Sequence, residues 1–96
     1  MARIAIIGGG LMGHGLAQVF ACADHDVRIT DPSAEARDKI LSRIADNLDD
    51  LGLDRGATAR VQVCASLPET VAQAQWIFEA APEDVSLKRR RRARPS

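Results

Sequence analysis

Strand-like and helix-like segments alternate along the chain, which predicts an α/β fold. The expected form is a doubly wound parallel sheet with right-handed crossovers and the strand order 3-2-1-4. Three observations support this. The apolar run Ile4-Ala5-Ile6-Ile7 has no polar face, as expected of a strand buried on both sides. It stops at Gly8, and Gly8, Gly10 and Gly13 stand in G-x-G-x-x-G spacing ahead of a helical pattern. A second strand, Val27-Arg28-Ile29-Thr30, ends in Asp31, 18 residues beyond Gly13. A glycine-rich turn alone says little. Between a strand and a helix, with an acid closing the next strand, it is the pattern of a dinucleotide site.

Each element has a local reason. Residues 11–23 read as a helix with an apolar stripe of Met12, Leu16, Val19, Phe20 and Ala23. Asp24 stands where a glycine would usually follow the helix, so a left-handed aspartate is expected there at some cost. Residues 33–51 form a second helix with Ile40, Leu41, Ile44, Leu48 and Leu51 on one face, and Gly52 ends it. Residues 53–59 read as a polar connection, and residues 60–64 alternate as a third strand. Ser66-Leu67-Pro68-Glu69 is a capping box before a short helix that runs to Gln73. Residues 75–81 make the fourth strand, with Trp76–Ala80 beside Ile4–Ile7 at the centre of the sheet. With no further strand read after it, Trp76–Ala80 becomes an exposed edge that invites oligomers or aggregation.

The 96 residues, 46% hydrophobic, allow one small domain, and three aromatics leave its core to aliphatic side chains. Residues 1–87 hold seven Lys and Arg against all 13 Asp and Glu, whereas Lys88, Arg89, Arg90, Arg91, Arg92 and Arg94 crowd the end. We therefore expect a domain over residues 1–88 and a basic, disordered or out-of-frame tail over residues 89–96. That tail has no interleaved aromatics and follows an acidic body, which argues against a nucleic-acid binder. Cys22 and Cys64 form no C-x-x-C pair and have no histidine at metal-ligand spacing. Both are expected as buried thiols in a reducing cytoplasm, with no metal site. No apolar run is long enough to span a bilayer, so no membrane association is expected.

The turn explains the glycines. Gly8 lets the chain leave the strand sharply, Gly10 lets a pyrophosphate reach the backbone, and Gly13 lets the helix sit close to the strand. The helix then offers its open N–H groups to the phosphates. Asp31 would accept both hydroxyls of an adenosine ribose and repel a 2′-phosphate, which favours NAD over NADP. Its alternative role is to cap the next helix, with Pro32 in the first turn.

The segments Gly8 to Phe20, Asp26 to Pro32 and Glu79-Ala80-Ala81-Pro82-Glu83-Asp84-Val85-Ser86-Leu87-Lys88 resemble the opening of the L-3-hydroxyacyl-CoA dehydrogenases. The resemblance covers residues 1–88 and implies a partial Rossmann domain that binds NAD. Its family oxidises L-3-hydroxyacyl-CoA to 3-oxoacyl-CoA in fatty acid metabolism. It implies that Gly8, Gly10, Leu11, Met12 and Gly13 line the pyrophosphate and that Asp31 holds the ribose. Ala80, Glu83 and Lys88 would approach the nicotinamide half, although Glu83 and Lys88 also suit an ordinary exposed helix start.

Two features depart from the family. Asp24 replaces a glycine, and after Lys88 the chain reads Arg89-Arg90-Arg91-Arg92-Ala93-Arg94-Pro95-Ser96 in place of the helix, strand and catalytic His–Glu pair that follow in the family. A truncation or frame-shift after Lys88 is the expectation. Alcohol oxidation needs a base within hydrogen-bond reach of the hydroxyl. His14 and His25, the two histidines, lie at opposite ends of the first helix and read as surface residues, so no catalytic residue is assigned. An acyl-CoA substrate is expected only where the missing part is supplied. The alternative is a non-catalytic module that binds a nucleotide or docks on a partner.

Overall fold

The Ile4–Ile7 run lies in β1 (Arg3–Ile7), at the heart of a five-stranded sheet of order β3-β2-β1-β4-β5. This computed structural model describes residues 1–81 and 84–89; of the tail expected over residues 89–96, only Arg89 lies within them. After β1 come α1 (Leu11–Cys22), β2 (Asp26–Thr30), α2 (Ala34–Asp50), a 3-10 turn (Arg55–Arg60) and β3 (Val61–Val63). Then follow α3 (Leu67–Val71), β4 (Trp76–Ala81) and β5 (Asp84–Arg89). β1 pairs in parallel with β2 (Ile6 opposite Ile29) and with β4 (Ile6 opposite Phe78), while β2 pairs in parallel with β3. The order 3-2-1-4 is therefore present as expected.

β1 is buried on both sides, since Ile4, Ala5 and Ile6 are all inaccessible. The main core gathers Ile4, Ile6, Val27, Ile29 and Val61 of the sheet with Ala17 and Ala21 of α1 and Ile40, Ile44 and Leu48 of α2. Phe20 and Phe78 stack beside it with ring centroids 5.0 Å apart. Local capping follows the sequence. Ser33 Oγ accepts from Ala36 N and Ser66 Oγ from Glu69 N, the first satisfying a helix-start donor of α2 and the second one of α3. Asp24 adopts φ +67°, the left-handed turn expected of it.

The structure corrects several expectations. In α1 the buried positions are Gly13, His14, Ala17 and Ala21, whereas Met12 and Val19 of the expected stripe face solvent. Gly13 sets the start of the helix against the glycine turn, and Leu16 and Phe20 of the expected stripe do pack against the core. Leu41 and Leu51 of α2 are exposed as well, since Ile40, Ile44, Ala45 and Leu48 already fill the face that the sheet can cover. The polar connection contains the 3-10 turn, started by Asp54, whose carboxylate accepts from Gly56 N. The largest difference is at β4, which is not an edge. β5 runs antiparallel to it from Ala81 opposite Asp84 to Trp76 opposite Arg89. Residues 84–88 alternate polar and apolar, a strand period, and β4 offers them an unpaired row of N–H and C=O groups. The expected association through that edge loses its basis.

The cysteines also differ from expectation. Cys64 is buried, but Cys22, the last residue of α1, is exposed. Burial pushes the Cys64 thiol up, and the Glu69 carboxylate adds to this, against the opposing effects of Thr70 and Arg28. Since the thiolate is the reactive form, iodoacetamide at neutral pH should alkylate Cys22 in the native chain and leave Cys64 untouched until denaturant is added. Peptide mass mapping checks this, and labelling of native Cys64 would contradict the packing around β3.

Candidate functional site: the glycine turn at the carboxyl ends of the strands

Three strands end around the turn that follows β1. Gly8, at φ +109°, occupies a backbone region that L side chains rarely adopt. Its N–H donates to the carbonyl of Thr30 at the end of β2 (2.7 Å), and a Cβ on it would overlap the Ala80 carbonyl at the end of β4. Gly13 is held still closer: a Cβ there would overlap the Gly8 carbonyl oxygen, so the first turn of α1 rests directly on the turn. Gly10 differs from both. Nothing stands within 4 Å of where its Cβ would be, so the turn opens there to a crevice.

Gly10 is also the N-cap of α1, with no side-chain cap and no acid in the first turn. The N–H groups of Leu11, Met12 and Gly13 have no acceptor within the helix, because the ladder begins with His14 N donating to Gly10 O (3.0 Å). A helix start without its own carboxylate or hydroxyl is a place for an anion from outside. Met12, 45% exposed, stands at the rim of this opening.

Asp31 lies half-buried across the turn. Its Oδ2 accepts from Gly9 N and its Oδ1 from Ser33 N, both at 2.9 Å. The carboxylate thus ties the glycine turn to the start of α2, so the capping role is present, although the N-cap proper is Ser33. Each oxygen keeps a second lone pair, which leaves room for hydroxyl donors from a ligand.

Of the remaining candidates, Ala80 has its carbonyl against Gly8. Glu83 lies outside the described residues. In β5 the backbone of Lys88 pairs with Ile77, partway down the sheet from the end of β4. A strand therefore stands at Lys88 where the alternative reading had an exposed helix start.

Three contributors escaped the sequence reading. Gly9 is buried between the Ile40 side chain and Asp31, and its N–H makes the bond to that carboxylate. His14 is buried and not on the surface, with its Nδ1–H donating to Gly10 O at 2.7 Å. Its spacing of four from the N-cap residue was the available signal. Arg37, one turn into α2, donates from Nη1 to the Asp31 carbonyl at 2.7 Å. His25, half-buried, accepts from Ala2 N through Nδ1 at the other end of α1.

A separate cavity of about 250 Å³ opens among Arg3, Asp26, Arg28, Arg60, Gln62 and Gln73. It sits at the amino ends of β1 and β2, where Arg3 and Arg28 are anchored on the backbone carbonyls of Gln73 and Glu69. Open α/β sheets bind nucleotides at the carboxyl ends of their strands, so this cavity is not the nucleotide site. Among the described residues, no group of His, Cys, Asp and Glu is placed to hold a metal ion, and no helix is long and apolar enough to cross a membrane.

A parallel sheet of order 3-2-1-4, a glycine turn under an uncapped helix and an acid at the end of β2 define a dinucleotide-binding domain of Rossmann type. Residues 3–94 match the family described as "3-hydroxyacyl-CoA dehydrogenase, NAD binding domain", and the chain belongs to that family. Its cofactor is NAD. Among curated relatives, an L-carnitine dehydrogenase of Streptomyces griseus is 40% identical over 91% of this chain, and a probable 3-hydroxyacyl-CoA dehydrogenase of Caenorhabditis elegans is 32% identical over 91%. The chain spans 27% and 33% of the lengths of these two proteins. Among solved structures, the (S)-3-hydroxybutyryl-CoA dehydrogenase PaaH1 from Ralstonia eutropha superimposes on 88% of this chain with a TM-score of 0.76 at 29% identity, and 32% of that chain is covered.

Proposed function

We propose that this chain is the cofactor-holding part of a dehydrogenase that oxidises L-3-hydroxyacyl-CoA to 3-oxoacyl-CoA with NAD, in fatty acid metabolism. The observation that carries the reading is the crevice at Gly10, bordered by the open N–H groups of α1 on one side and Asp31 on the other. In this reading Gly8, Gly10, Leu11, Met12 and Gly13 form the pyrophosphate cradle and Asp31 receives the adenosine ribose. Ala80 borders the nicotinamide side. For Glu83 the support is the family segment alone. NAD supplies the hydride acceptor when bound, while these residues orient it and exclude a charged 2′ substituent. The acyl-CoA pocket and the base would come from the further length that the relatives possess. Two free thiols support a reducing, cytoplasmic setting.

The identity with an L-carnitine dehydrogenase favours a second reading, in which the alcohol oxidised is L-carnitine. Both readings share the same cofactor crevice, and a protein that contains this domain and forms NADH from one alcohol and not the other decides between them.

Calorimetry with NAD and NADP tests the shared part. The unmutated chain should bind NAD in preference to NADP. Asp31→Ala should weaken NAD binding by about 1.5–3 kcal/mol for each charge-assisted hydrogen bond lost. Equal affinity for the two cofactors in the unmutated chain would remove the ribose role from Asp31.

A further inference from the structure

We infer that Arg37 is a 2′-phosphate anchor held in reserve, so that the choice of NAD over NADP rests on the single charge of Asp31. The inference rests on the ribose position proposed above and extends it to a second residue.

Arg37 is half-buried on the first turn of α2, and α2 starts at the turn that Asp31 closes. Among the described residues its hydrogen bonds run through Nη1, to the Asp31 carbonyl at 2.7 Å and to the Pro32 carbonyl at 3.5 Å. The guanidinium is therefore fixed over the same turn that presents the Asp31 carboxylate, with Nη2 and Nε left for another acceptor. No described ion pair neutralises it: Lys39 on the next turn pairs with Glu35, and Arg37 is in none of the salt bridges seen.

A 2′-phosphate carries close to two negative charges at neutral pH and three acceptor oxygens, and the planar fork of arginine matches such a group bidentately. In the unmutated chain the Asp31 carboxylate repels it at short range. That carboxylate has a second task that Arg37 does not share, which is to hold Gly9 N and Ser33 N. Asparagine at position 31 would remove the charge and keep an acceptor oxygen for one of those two donors, at the cost of the other bond. The repulsion would then be gone, while the arginine stays where its bond to the backbone of residue 31 puts it.

The test is binding of NAD and NADP to the 96-residue chain by calorimetry at low and moderate salt, with circular dichroism to show that each variant is folded. Asp31→Asn should raise NADP affinity by about tenfold or more while NAD affinity falls. Adding Arg37→Leu to that variant should abolish the gain for NADP and leave NAD within a few-fold. The gain should also shrink as salt rises. Should Asp31→Asn fail to fold, Arg37→Leu in the otherwise unmutated chain provides the second measurement: it should widen the preference for NAD over NADP by a similar factor. The inference is overturned if Asp31→Asn binds NADP equally well with and without Arg37, or if Arg37→Leu leaves the cofactor ratio unchanged. A failure of the unmutated chain to bind NAD would instead remove the ribose position itself, and the inference with it.

Discussion

Gly13→Ala should lower the melting temperature of the domain by roughly 10–20 °C and abolish NAD binding. The added methyl would overlap the Gly8 carbonyl oxygen, a backbone atom that cannot rotate away. Relief requires α1 to move off the turn, which separates the core contacts of Ala17 and Ala21 with Ile6 and Ile29. Overpacking of this kind costs about 1–3 kcal/mol and more where the neighbour is rigid. In a domain of this size each kcal/mol shifts the midpoint by about 4–8 °C. Gly10→Ala is the control, since its methyl meets nothing within 4 Å. That variant should melt with the unmutated chain and still lose cofactor affinity, because the methyl enters the crevice. Equal melting of the Gly13→Ala and unmutated proteins would mean that α1 does not rest on the glycine turn.

The second large effect is an absence of turnover. The purified 96-residue chain, saturated with NAD, should form no NADH from 3-hydroxybutyryl-CoA above a blank without protein. The structure strengthens the reasons. His14 is buried and so shielded from a bound alcohol, and His25 lies at the opposite end of α1, bonded to Ala2 N. General-base catalysis contributes about two to four orders of magnitude. Orienting the substrate contributes roughly 7–11 kcal/mol more. NADH formation that disappears in Gly10→Val would overturn this and require a base within these residues.

Much of the sheet was legible because its signal is local. Ile4–Ile7 and Val27–Thr30 are β-branched runs that end in a glycine and an acid, and parallel pairing follows from the helices between them. The buried face of α1 was legible only in part. Leu16 and Phe20 pack against the core as expected, but Met12 and Val19 are exposed, while Gly13, His14, Ala17 and Ala21 are buried. Around Glu83 and Lys88 the family resemblance points to the nicotinamide half and the residues alone to a helix start, so neither reading predicts the strand β5. What decided the state of residues 84–89 was the unpaired edge of β4, a partner far from them in no local pattern. In the candidate site, the glycines and Asp31 announce themselves by spacing. His14 and Arg37 do not, because each finds its partner in a backbone carbonyl, and every residue has one.

The pairing of β1 sets an order of events during synthesis. β1 is made first and sits at the centre, but one of its neighbours, β4, follows about 70 residues later, as the bond from Arg3 N to Gln75 Oε1 shows across 72 positions. At about 5–20 residues per second, the ribosome needs roughly 4–14 s to deliver that neighbour. Once Asp26–Thr30 has followed, Ile4–Ile7 can pair with β2 on one side while its other side stands bare until β4 arrives. The nascent chain, more than the finished domain, is the species whose central strand has an unpaired side.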